Sequence, residues 1–154
     1  MRAQLNITAT ELNTMEASIK GQIDEASKKI EWAMAQKFQE CVLANFGASG
    51  PYRPWSGWPP LSPAYAKKVG RSYATLEVSG RLKSAVLIDL KENNRFSVVA
   101  EDSRVPYATV HQYGGGNNIP AREYFPMTED GEVTRQVQDI VLEAAYKAAQ
   151  EALS

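Results

Sequence analysis

The stretch Val86-Leu87-Ile88-Asp89-Leu90-Lys91-Glu92-Asn93-Asn94-Arg95-Phe96-Ser97-Val98-Val99-Ala100 decides the fold. Val86, Ile88 and Leu90 alternate with Leu87 and Asp89, and Phe96, Val98 and Ala100 alternate again after Glu92-Asn93-Asn94. Side chains on a strand point to opposite faces in turn, so two β-rich runs around an Asn-bearing turn predict an antiparallel hairpin. Most of the remaining chain has helical or loop patterning. The sheet must therefore be small, with helices laid against it, which is an α+β arrangement.

Upstream, Leu12, Met15, Ile19, Ile23, Ala26, Ile30, Ala33, Met34, Phe38, Cys41 and Val42 recur three and four residues apart. That spacing predicts a long amphipathic helix. Thr8 with Glu11 three residues on has the form of a capping box and puts the start near residue 9; Gly47 offers an end. Gly21 makes a break possible inside it. The stripe has two open readings: a core helix laid across the sheet, or one that partly packs on another subunit. Residues 47–63, with five prolines and three glycines, cannot form a regular helix. Their aromatics, Tyr52, Trp55 and Trp58, either fold back over the core or form a contact surface. Ser62 with Pro63 predicts a short helix closed by Gly70, and 76–84 predicts another feeding into the sheet.

Downstream, 105–113 is short and mixed, with Pro106 in a helix-starting position. Residues 114–118, Gly-Gly-Gly-Asn-Asn, predict a flexible loop. Residues 119–127 predict a returning edge strand, because Pro120 and Pro126 suit an edge better than a central strand. Thr128 predicts the cap of a last helix whose stripe is Val133, Val137, Ile140, Val141, Ala144, Ala145 and Ala148. The expected whole is a single domain over 1–154.

Composition narrows the function. With 44% hydrophobic and 23% charged residues, the chain belongs with ordinary globular domains, and its length lets it hide roughly two-thirds of its unfolded surface. Seventeen basic residues against eighteen acidic ones give a net charge of −1, which argues against nucleic-acid binding as the main task. One histidine and one cysteine cannot make a His/Cys zinc cluster, and a lone cysteine has no intramolecular disulfide partner. No run approaches the ~20 apolar residues of a membrane span, and 1–10 lacks the apolar region of a signal peptide. A reducing cytosol is the expected compartment. No cofactor is expected.

Candidate chemistry is sparse. His111 as a base would need an orienting carboxylate such as Glu101 or Asp102, and nothing in the sequence places one beside it. Cys41 lies on the apolar stripe and reads as a small buried hydrophobe. Ser79-Gly80 lacks the strand–elbow–helix setting of a hydrolase nucleophile, and Gly114 to Gly116 lacks phosphate-loop spacing. No acidic pair has calcium-loop spacing. The expectation is a protein that is not an enzyme. The rival readings are a small hydrolase using His111, a nucleic-acid-binding module, and a toxin, antitoxin or regulator.

Four blocks carry a resemblance. Tyr107-Ala108-Thr109-Val110-His111-Gln112-Tyr113-Gly114-Gly115 followed by Ile119-Pro120-Ala121-Arg122-Glu123-Tyr124-Phe125 resembles the "YAxxHQxGG … IPARxF" signature of the phage virion morphogenesis family, the Mu-like tail completion proteins. Trp58-Pro59-Pro60-Leu61-Ser62-Pro63-Ala64-Tyr65 and Leu76-Glu77-Val78-Ser79-Gly80-Arg81-Leu82-Lys83-Ser84 are similar to its other two blocks, in the same order. Glu123 stands where the family often has proline, and Tyr124 adds a second aromatic beside Phe125. The resemblance implies a structural role late in assembly, in tail completion or head–tail joining, without catalytic residues. It further implies a ring of identical subunits touching tail tube, tail terminator or head connector proteins, in the virion and, during assembly, in the host cytoplasm. Trp55, Trp58, Arg122, Tyr124 and Phe125 are the candidate partner contacts. Tyr107, His111, Gly114 and Gly115 are the candidates for supporting the glycine loop.

Overall fold

The computed structural model describes residues 8–47, 50–53, 58–71, 76–77, 79–91, 95–100, 103–116 and 118–154. Trp55, Glu92, Asn93, Asn94, Glu101, Asp102 and Asn117, all invoked above, lie outside the described residues.

The capping box forms as its sequence predicts. Glu11 N donates to Thr8 Oγ1 at 3.2 Å, and Thr8 N donates to Glu11 Oε2 at 2.8 Å. Two orphan N–H groups are thereby satisfied, and helix α1 (Ala9–Ala44) begins at the next residue. It runs unbroken through Gly21 for 36 residues, about 54 Å at 1.5 Å per residue. Asn45 ends it from a fully buried position. Its Nδ2 donates to Tyr124 O at 2.9 Å, its Oδ1 accepts from Tyr52 N at 2.8 Å, and the Arg53 guanidinium donates to its carbonyl.

Helix α2 (Pro63–Val69) follows Ser62 as N-cap and stops at Gly70 in the left-handed region, as read from sequence. Helix α3 (Arg81–Ser84) is shorter than 76–84 suggested, because Gly80 takes φ 69° and delays the helix until Arg81. Strands β1 (Val86–Leu90) and β2 (Phe96–Ala100) pair antiparallel, Val86 opposite Ala100 and Leu90 opposite Phe96. Helix α4 (Ala108–Tyr113) and helix α5 (Arg135–Leu153) complete the α+β fold.

One side of α1 takes the sheet. Gln39 Nε2 donates to Val86 O at 2.9 Å, and the Trp32 and Phe96 rings meet edge to face at 5.1 Å. Another side takes α5, which packs chiefly on α1. Val42, Phe46, Leu82, Ala85, Val86, Val105, Ala108 and Tyr124 form the main core cluster, where the end of α1 meets α3, β1, α4 and the segment carrying Tyr124.

Two expectations need correction. Residues 119–127 do not join the sheet as an edge strand: β1 and β2 are its only strands among the described residues, and this segment makes only isolated bridges, Gly115 with Ile119 and Met127 with Val133. Side chains hold it instead, since Gln112 Oε1 accepts from Tyr124 N at 3.1 Å and from Phe125 N at 3.0 Å. The last helix is capped at Thr134 rather than Thr128. Thr128 N donates to Glu132 O, and Gly131 at φ 80° turns the chain into a tight hairpin that a helix cannot traverse.

Candidate functional site

The four sequence blocks, far apart in the chain, converge on one open groove of about 780 Å³. The first contributes Pro60, Leu61, Ser62 and Tyr65. Leu76, Ser79 and Leu82 come from the second, and Tyr107 and His111 from the third. The fourth adds Ile119, Pro120 and Arg122. The walls are mainly leucine, isoleucine, proline and tyrosine.

Local structure puts Arg122 and His111 there. Helix α4 carries Tyr107 at its cap and His111 one turn on, and their rings meet edge to face at 5.6 Å. The chain leaves α4 through Gly114 at φ 78°, ψ 174°, a conformation that glycine alone adopts readily. A Cβ on Gly114 would lie 3.1 Å from Ile119 O, and one on Gly115 would lie 2.8 Å from Val110 Cγ1. Gly115 N donates to Ile119 O at 3.0 Å, closing the loop, and Arg122 N donates to His111 O. Arg122 is thus tied back onto α4.

The Arg122 side chain is 8% exposed. Its Nη2 donates to Pro60 O at 3.2 Å, while its Nε is buried without a partner. His111 Nδ1 is also buried and unpartnered. Burial, reinforced by the positive charge of Arg122, pushes the His111 pKa below its ordinary value, so the imidazole is neutral at neutral pH. Burial lowers Arg122 too, against an opposing influence of Tyr65, but a guanidinium remains charged. Among its described residues the groove therefore presents one cation with spare donor capacity, framed by apolar and aromatic walls.

The other candidates are distributed differently. Trp58 takes the fold-back alternative: its Nε1 donates to Glu123 O at 3.0 Å, the Arg53 guanidinium stacks 3.5 Å above its ring, and it packs against the core. Tyr124, expected at a contact surface, is a core residue at 2% exposure; its hydroxyl donates to Ala108 O and its ring packs on Phe46. Phe125 is half-buried beside Phe38 and Tyr124. Trp55 lies outside the described residues. Cys41 is buried, and burial raises its thiol pKa.

Two further apolar surfaces are present: the α1 stripe, for which the sequence left packing on another subunit open, and one on α5 that sequence reasoning missed. Every residue of α1 from 9 to 25 is exposed, so this half stands beyond the rest of the fold. Leu12, Met15, Ile19 and Ile23 on it are 52% to 62% exposed. Leu12, Ile23 and Met34 repeat every eleven residues, as do Ile19, Ile30 and Cys41. Eleven residues are close to three helical turns, so the bare stripe is the straight continuation of a side that becomes covered further along. Lys37 lies on that side and, behind the stronger effect of Lys147, helps hold the Glu143 carboxyl of α5 below its usual pKa. Helix α5 has an outer stripe as well: Leu142, Tyr146 and Leu153, 51% to 82% exposed, sit at i, i+4 and i+11. On α5 the signal was present as a second period superposed on the inward-facing one.

Among the described residues no group of three His, Cys, Asp or Glu side chains gathers as a metal site, and no helix is long and apolar enough to cross a membrane. Compared with known proteins, residues 9–145 match the model of the phage virion morphogenesis family. No curated protein and no solved structure matches the chain.

Proposed function

Because this chain belongs to the phage virion morphogenesis family, we propose that it is a structural subunit of tail completion or head–tail joining that closes into an oligomeric ring. On this reading it is not an enzyme. It forms one domain over 1–154 and acts at the tail or head–tail junction of a virion, after assembly in the host cytoplasm. Its neighbours there are tail tube, tail terminator or head connector proteins.

The observation that carries the self-association is the pair of bare stripes. Leu12 to Ile23 on α1 and Leu142 to Leu153 on α5 are each eleven residue steps from end to end, about 16 Å of helix. Covering these seven side chains removes on the order of 800 Å² of mostly apolar surface, and flanking stems carry the contact toward the roughly 1,200 Å² at which stable interfaces begin. The two stripes are different patches, so a contact between them is head-to-tail. Repeated by a rotation that closes, such a contact makes a ring.

Light scattering on the purified full chain over a concentration series tests this. The native sequence is expected to give a discrete oligomer, and Ile19→Asp or Tyr146→Asp each to give a monomer with unchanged far-ultraviolet circular dichroism. A native chain that stays monomeric at millimolar concentration, or both variants retaining the oligomer, would overturn it.

A further inference from the structure

We propose that the Arg122 groove is a binding site for a side-chain carboxylate, an Asp or Glu presented by an apolar segment of a partner protein. This does not depend on ring formation, since the groove lies within one subunit.

The argument starts from the unmet donor. A buried guanidinium normally finds a full set of acceptors, because leaving an ionised donor unpaired away from water is costly. Arg122 is 8% exposed, and among the described residues its guanidinium gives one hydrogen bond, to the neutral carbonyl of Pro60, while its Nε has no partner. No carboxylate among the described residues pairs with it. A planar guanidinium offers neighbouring N–H groups in the fork that a carboxylate accepts in two-pronged fashion.

Charge count then selects the anion. Arg122 is the single cation among the described residues that line the groove, and His111 beside it is neutral. One cation balances one carboxylate but under-neutralises a phosphate dianion, and Leu61, Leu82 and Ile119 in the walls suit apolar neighbours rather than nucleic acid. Size selects the presentation. About 780 Å³ is several residues' worth of space, and the site is an open groove rather than a closed pocket, so a segment can cross it with its acidic side chain turned inward.

The test uses the full native chain and three peptides: Ac-Ala-Leu-Glu-Leu-Ala-NH₂, the same peptide with Gln for Glu, and the Gln peptide with a free C-terminal carboxylate. Inorganic phosphate is the fourth probe. Because His111 is the only histidine, its ring resonances report occupancy of the groove directly. The Glu peptide is expected to bind saturably in the millimolar range or tighter, and the Gln peptide at least tenfold more weakly, as the loss of one charge-assisted contact implies. Arg122→Met should abolish that difference; if this variant does not fold, the Glu-to-Gln ratio on the native chain still decides. Equal binding of the Glu and Gln peptides, or no saturable binding of the Glu peptide, would defeat the proposal. Tighter binding of the free C-terminus would overturn it in favour of a chain end, and tighter binding of phosphate in favour of a phosphate site.

Discussion

His111 and Arg122 show how much a single pair of residues sets. The imidazole is half-buried on α4 beside a permanent cation, and both influences favour its neutral form. Its folded-state pKa therefore lies below the unfolded value, near 6.5. The unfolded chain then binds more protons than the folded one as pH drops below that value. The stability due to neutral His111 is complete above the unfolded pKa and declines as pH falls through it. A proton NMR titration of this one histidine should give a midpoint below 6.5. Arg122→Gln should move the midpoint upward, though not to the ordinary value, because burial remains the larger cause. An unshifted midpoint in the native chain would contradict the buried placement. The sequence alone singled out both residues but could not pair them: eleven positions separate them, and only the glycine turn at Gly114 brings Arg122 N to His111 O.

At the scale of elements, what could be read was what is locally determined. The capping box at Thr8, the Ser62-Pro63 start of α2 and the alternation of β1 and β2 each place the decisive chemistry within a few residues. Segment 119–127 failed that test. Its prolines and aromatics suit a strand edge, yet its partners are the side chains of Gln112 and Asn45, the latter 79 positions from Tyr124. Thr128 and Thr134 are both acceptable helix caps, and the bridge between Met127 and Val133 chooses between them. Because Gln112 stands in for a sheet neighbour, Gln112→Ala should strand the N–H groups of Tyr124 and Phe125. The expected loss is about 2–4 kcal/mol, from one buried and one part-buried donor at roughly 1–3 kcal/mol each with partial relaxation. Urea denaturation measures that loss, and amide exchange should locate it at 124 and 125 while α1 and α5 keep their protection. A loss under about 1 kcal/mol would mean that the segment is held by the Tyr124 ring in the core rather than by Gln112.

At the scale of the whole molecule, the question is which stripe meets which. Composition could not answer it, since a net charge of −1 and an ordinary hydrophobic content say nothing about where apolar side chains lie. Two arrangements would cover the arm of α1: its own counterpart on a second copy, giving a closed pair, or the outer face of α5 on the next copy, giving a chain of contacts that can close only as a ring. The second also covers Leu142, Tyr146 and Leu153, which the first leaves bare. Ile19 and Tyr146 lie near the centres of their stripes, so cysteines there should be joined by a short bis-maleimide whichever way the helices run. Cys41 does not compete, being buried with its thiol pKa raised. Neither Ile19→Cys nor Tyr146→Cys alone should cross-link, whereas an equimolar mixture should give a covalent dimer. The double variant should give a ladder on a denaturing gel, and its highest rung counts the subunits. Cross-linking of Ile19→Cys by itself would establish the arm-to-arm pair, and with it a twofold dimer in place of the ring.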